Sequence, residues 1–283
     1  MPNDILKKTK TKQKKQFAEK KVRPNSFAAT KKIYMNIIWG INEIDIRKIK
    51  EFVSRFDNPF VQNRISKNVQ RQNIVIDKDS VIKNLFMCLL TTQQRSGPNS
   101  KVGTFLRQSP FPLTNENISN HHDIEIFVRE TLLKNELNRY INRIPSFFTT
   151  NFQILQESNW QLIETLRTEL KENATKATER RIADYLDDKF LGFGPKQSRN
   201  FLQGLGLTKF EIPIDSRITN WFNKFGFPVT LSSIPLQDKE YYHFVSDGIQ
   251  QLCNQAEIYP CALDAAIFSS FDSEEWTEEN AIY

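Results

Sequence analysis

Glycine is scarce in this chain, at nine of 283 residues, and cysteine is scarcer, with only Cys88, Cys253 and Cys261. So sparse and odd a cysteine set excludes a disulfide framework and points to a reducing compartment. The histidines, His121, His122 and His243, have no metal-binding spacing, so no metal is expected. No apolar run approaches the roughly 18 residues of a membrane helix, and no signal-peptide pattern opens the chain. Alternating β-branched runs are also missing, which leaves little material for strands.

Charge is plentiful but uneven. The net charge is +6, yet residues 1–32 alone hold eleven Lys and Arg against Asp4 and Glu19. No Lys or Arg follows Lys239, and six acids lie between Asp264 and Tyr283. The positive balance therefore belongs to a basic tail more than to the body. Such a tail, without apolar periodicity, is expected to be disordered. It either raises nucleic-acid affinity without sequence preference or serves as a solubilising terminus.

The body, 33–283, reads as helices joined by short loops. Residues 33–39 are a β-rich strand or buried extended segment. Apolar positions Ile46, Ile49, Phe52, Val53 and Phe56 mark a helix that Asn58-Pro59 ends,. Residues 60–78 show no assignable pattern. A buried helix, capped by Asp79 or Ser80, carries Val81 to Leu90 into the polar turn Thr91–Pro98,. A short helix over 100–106 and a loop over 113–122 follow. Helices are then expected over 123–134, 136–148, 159–171, 176–189, from Lys196 to Gly204, over 216–225, 238–255 and 261–271. The fold class expected is all-α.

Four of the nine glycines, Gly192, Gly194, Gly204 and Gly206, fall within one short stretch. Leu191-Gly192-Phe193-Gly194-Pro195 makes the turn of a helical hairpin. A glycine-rich turn entering a helix exposes backbone N–H groups at the positive end of the helix dipole, which suits a phosphate oxygen. Such a contact positions a nucleic-acid backbone without reading its sequence. Read singly, Lys196 is a solvated lysine at a helix start and Asp215 a helix N-cap. Read together with the hairpin, they form a candidate reaction centre.

The run from Leu191 to Leu202, then Gly204-Leu205-Gly206 and Ile212-Pro213-Ile214-Asp215-Ser216-Arg217-Ile218, resembles the signature of the helix-hairpin-helix (HhH-GPD) superfamily of DNA glycosylases. The nearest subtype is the 8-oxoguanine DNA glycosylase/AP lyases without an iron–sulfur cluster; the cluster's four-cysteine loop cannot form from three cysteines. The close match spans about 188–225, with a weaker one over 81–97. Departures are Ser216-Arg217 after the aspartate, where that subtype shows Arg-His, and Ala281-Ile282-Tyr283 in place of its terminal lysine.

The resemblance implies two helical subdomains, about 33–97 with 201–283 and about 98–200, with an active-site cleft between them and the hairpin at its mouth. It implies base-excision repair of an oxidised purine in double-stranded DNA, by a monomer, without a cofactor, in the cytoplasm (on the nucleoid, or in a nucleus in a eukaryote). Lys196 matches the family's catalytic lysine and Asp215 its catalytic aspartate. Gly192, Phe193 and Gly194 would hold the DNA backbone, and Gln93, Gln94 and Arg95 would enter the duplex opposite the extruded base. Phe268 or Phe271 could stack on that base, although their helical spacing favours the core. Two alternatives stand beside this reading: a binding protein that keeps the hairpin without turnover, and a monofunctional glycosylase in which Asp215 activates water.

Overall fold

A computed structural model describes residues 37–94, 96–272 and 275–280, and the compact unit begins at Trp39. The basic tail, most of the 33–39 segment and Arg95 lie outside the described residues. The described residues contain helices, turns and loops, with no strand.

Thirteen α-helices follow in order: α1 Glu43–Arg55, α2 Pro59–Asn68, α3 Lys78–Leu90, α4 Lys101–Leu106, α5 Asn115–Ser119, α6 Ile124–Lys134 and α7 Ile144–Glu157, then α8 Gln161–Thr165, α9 Lys176–Lys189, α10 Pro195–Gly204, α11 Ser216–Phe225, α12 Lys239–Gln255 and α13 Pro260–Ser270. A π-helical stretch, Leu166–Glu172, extends α8, and a 3-10 turn, Pro235–Gln237, precedes α12. Many of the boundaries have a local chemical cause. Asn42 and Asp45 form a reciprocal capping box on α1, as Asp77 and Ser80 do on α3 and Thr175 and Thr178 on α9,. Each satisfies amides that a helix start leaves without internal partners.

Four details differ from the sequence expectation. Asn58-Pro59 does not merely end α1: Asn58 caps α2 and Pro59 opens it, since proline at the first helical position gives up no hydrogen bond. The cap of α3 is Asp77, two residues before the expected pair, and Ser80 is its reciprocal partner. Residues 113–122 hold the short helix α5, capped by Thr114. The helix expected over 136–148 starts only at Ile144 and runs to Glu157. Glu136 and Tyr140 take positive φ, which breaks any helix there, and Pro145 suits a helix start better than an interior.

Apolar burial gathers into distinct cores. One runs from Ile76 to Leu207 around α3, with Phe86 stacked on Phe148 at 4.1 Å between ring centroids. Another joins Ile49 to residues 212–267 of α11, α12 and α13, beside a small cluster of Phe60, Val61, Ala265, Ala266 and Trp276. The chain crosses between the large cores at residues 208–211, and this crossing is pinned by buried charge. Glu179 of α9 accepts from the Thr208 hydroxyl and from the amides of Lys209, Phe210 and Glu211. Arg199 of α10 reaches Glu211 at 3.0 Å and Asp184 at 2.8 Å. Burial alone would raise Glu211, but Arg199 and Arg180 outweigh it and hold its carboxyl below the ordinary range,. Tyr242 then accepts from the Ile214 amide and donates to the Ile212 carbonyl. The backbone leading into Asp215 is therefore fixed from three helices.

Candidate active site

The two ends of the motif meet at one cavity of about 780 Å³. Its walls include Gln93 and Gln94 after α3, Gly192 to Gln197 and Asn200 of the hairpin and α10, Ile214 to Arg217 at the start of α11, and Asp264 and Phe268 of α13. Met87 and Leu236 contribute from the two large cores. Every expected site residue that the structure describes lines this space: Lys196, Asp215, Gly192, Phe193, Gly194, Gln93 and Gln94.

The hairpin is held from behind by Asn151, whose amide group donates to the Leu191 carbonyl and accepts from the Leu191 N–H, at 3.0 and 2.8 Å. Its two glycines serve different needs. Gly192 has φ +80°, and a Cβ there would meet Phe147 at 2.7 Å and Leu89 at 2.8 Å; only glycine fits. Gly194 has extended backbone, caps α10 without a side-chain bond, and a Cβ on it would face open space. Neither conformation nor packing explains this glycine. Phe193 is half-buried against Phe190 and Phe201, so it also anchors the turn to the core.

Lys196, half-buried, points its ammonium 3.4 Å from the Gln197 side-chain oxygen. Gln197 donates in turn to the Thr92 hydroxyl at 2.9 Å, tying the lysine's helix to the turn after α3. Asp215 caps α11: its Oδ1 accepts from the Arg217 amide at 2.8 Å and the Ile218 amide at 3.1 Å. Both cap bonds fall on Oδ1, so the structural role of this carboxylate leaves Oδ2 available to the cavity.

The polar turn divides its two glutamines. Gln94 folds back, its amide donating to the Leu90 carbonyl at 2.8 Å. Gln93 is exposed, takes φ +53°, and accepts from Arg139 and from the Tyr140 hydroxyl at 3.0 and 2.7 Å. A left-handed backbone in a non-glycine residue costs on the order of 1–3 kcal/mol and clusters at functional sites. Gln93 is therefore the better placed to leave the protein surface.

Three wall residues were not among the sequence candidates for the site. Asp264 is 5% exposed and accepts from the Gln203 side-chain amide. Burial pushes its carboxyl up to about 6; Arg64 opposes this, the Asp215 charge adds to it, and Lys196 opposes it less,. Gln203 keeps a buried side-chain oxygen with no protein partner, and Arg217 a buried Nη1 likewise. The Arg217 guanidinium lies 3.9 Å from the ring centroid of Phe268, a cation–π geometry that also fixes that ring. Phe268 lines the cavity, whereas Phe271 is exposed and does not. A signal for Asp264 existed: a single acid inside Cys261-Ala262-Leu263-Asp264-Ala265-Ala266-Ile267 is a buried charge. Its place at the head of the acidic end of the chain masks that signal.

This all-helical body places a helix-hairpin-helix on the lip of a cavity. Among solved structures it is similar to the crystal structure of the 8-oxoguanine DNA glycosylase of Thermotoga maritima, with a TM-score of 0.58 at 15% identity over 82% of this chain and 98% of that one. No family model matches the chain, and no curated protein does. The likeness is one of fold, carried by helix order and packing more than by sequence.

Proposed function

We propose that this chain is a DNA glycosylase with AP lyase activity that acts on an oxidised purine, 8-oxoguanine being the first to test. The observation that carries this reading is the convergence of Lys196 and Asp215 on one cavity whose lip is the glycine hairpin. The hairpin amides take a backbone phosphate of the duplex. Open space at Gly194 is the room such an approach needs. Gln93 fills the gap left by the extruded nucleotide.

The Lys196 amine, when neutral, forms a bond to C1′ of the target nucleoside. The bond from C1′ to the base breaks, and its electron pair leaves on the base, which takes up a proton. Opening of the sugar ring gives a Schiff base, and loss of a C2′ proton with departure of the 3′ phosphate cuts the strand. The Asp215 carboxylate stabilises the positive charge that develops on the sugar. Base recognition falls to Asp264 and Gln203, whose acceptor oxygens match a base edge rich in N–H donors, as guanine-type edges are.

Borohydride trapping on duplexes containing 8-oxoguanine or an abasic site tests this. Wild type should form a covalent adduct, and Lys196→Gln should reduce it to background. Asp215→Asn should slow base excision more than cleavage at a ready-made abasic site. Excision without trapping would transfer the chemistry to Asp215-activated water. Salt-dependent binding with no product on any lesion would leave a binding protein.

A further inference from the structure

A second cavity, of about 260 Å³, opens at the other end of the same helix pair. Met87, the turn after α3 and one side of α10 from Pro195 to Gln203 line the first cavity; Ser80, Lys83, Asn84 and Met87 of α3 and Gly204 at the end of α10 line the second. The two helices are thus antiparallel, and Met87 stands in both walls. We propose that this second cavity binds a small phosphate-type oxyanion, either free phosphate or the phosphomonoester of a small molecule.

The charge pattern carries the argument. Lys67 from α2 and Lys83 from α3 converge on the cavity, and none of its eleven lining residues is acidic. Among the described residues neither ammonium has an ion-pair or hydrogen-bond partner; that of Lys83 lies 5.8 Å from the ring centroid of Phe111. Neighbouring cations on α2 and after it are employed. Arg64 and Asn68 donate to the Gln203 carbonyl, and Arg71 to the carbonyls of Gly206 and Leu207. Both lysines are only partly exposed, where solvent-facing lysines would splay into water,. Burial lowers each from its ordinary value, and for Lys67 the charges of Arg64 and Lys83 add to that. Two uncompensated cations that repel one another inside one recess are stabilised by an anion between them.

The geometry favours a small ligand. The early turns of α3 bring Ser80 and Lys83 to the recess. The remaining wall is apolar, from Ile74, Val75, Met87, Leu106 and Leu205. It suits the carbon body of a phosphomonoester better than a polyanionic strand. This inference is independent of the chemistry proposed for Lys196.

The test is calorimetric titration and thermal shift of the full chain with inorganic phosphate, adenosine monophosphate and undamaged duplex DNA, at constant ionic strength with chloride as control. Wild type should bind phosphate or the nucleotide at one site with a raised Tm. The double variant Lys67→Met/Lys83→Met should lose that affinity at least about tenfold. It should melt no lower than wild type without ligand, because the long apolar stems are kept. Lys83→Arg, which keeps the charge, should retain binding and guards against misfolding of the double variant. Equal phosphate binding by wild type and a folded double variant would overturn the proposal, as would a Tm rise that chloride reproduces. Loss confined to duplex DNA would also overturn it and make the lysines a nucleic-acid surface.

Discussion

The two ends of α10 are built on opposite rules. At its C-terminal end the main chain is engaged: the Leu207 and Gly206 amides turn back to the carbonyls of Leu202 and Gln203, a left-handed glycine closure. Side chains of Arg64 and Asn68 then cover the Gln203 carbonyl, and Arg71 the Gly206 carbonyl. At its N-terminal end the cap is a bare glycine with no side-chain bond, and Lys196 makes a 3.4 Å contact to a neighbouring glutamine. A helix end left this open on a cavity wall is the exception in a molecule that caps most of its helices. The difference separates a main-chain end closed by its own turn from one left open on the proposed active site.

The comparison can be broken most severely at the closed end. Arg71→Ala should destabilise the protein by about 3 kcal/mol in denaturant unfolding, because Glu179, fully buried and 3.9 Å from Arg71, loses part of its compensation,. A cost below 1 kcal/mol would mean that this end is held by its backbone turn alone. Next comes the contrast of the hairpin glycines. Gly192→Ala should cost about 2 kcal/mol through its positive φ and the contacts with Phe147 and Leu89,. Gly194→Ala should leave Tm within a degree or so while weakening binding to duplex DNA about threefold or more. Equal behaviour of the two variants would erase the distinction between a packing glycine and an approach glycine.

Asp264 gives a finer test, through pH. Its carboxyl is raised above the ordinary aspartate value, so the fold prefers the protonated form. That contribution is complete below about pH 4 and is lost as pH rises through about 6. Asp264→Asn cannot ionise and should be more stable than wild type above pH 6, by on the order of 2 kcal/mol, with the gap closing towards pH 4. Calorimetric melting across that range checks the sign. If the same variant excises its base more slowly, the buried charge is kept for function at the expense of stability.

Much of this was legible in the chain itself. Helices α9, α10 and α11 start or end where Thr175, Pro195, Asp215 and the later glycines require, because caps and proline act within a few residues,. Less legible are residues whose local signal fits two outcomes. Asn58-Pro59 both stops and starts a helix, and the apolar spacing of Leu137, Tyr140 and Ile144 imitates a helix that positive φ forbids.

By itself the sequence determined the all-helical class, the hairpin, and the pairing of one lysine with one aspartate as the candidate centre. Those properties are local, written in side-chain periodicity and backbone preference. Only the tertiary structure decided that Lys196 and Asp215 share a cavity, that Asp264 and Gln203 line it, and that Lys67 and Lys83 meet in another. Burial and charge proximity depend on side chains of separate helices being brought together, as Gln203 and Asp264 are from 61 positions apart, and local periodicity does not encode that meeting.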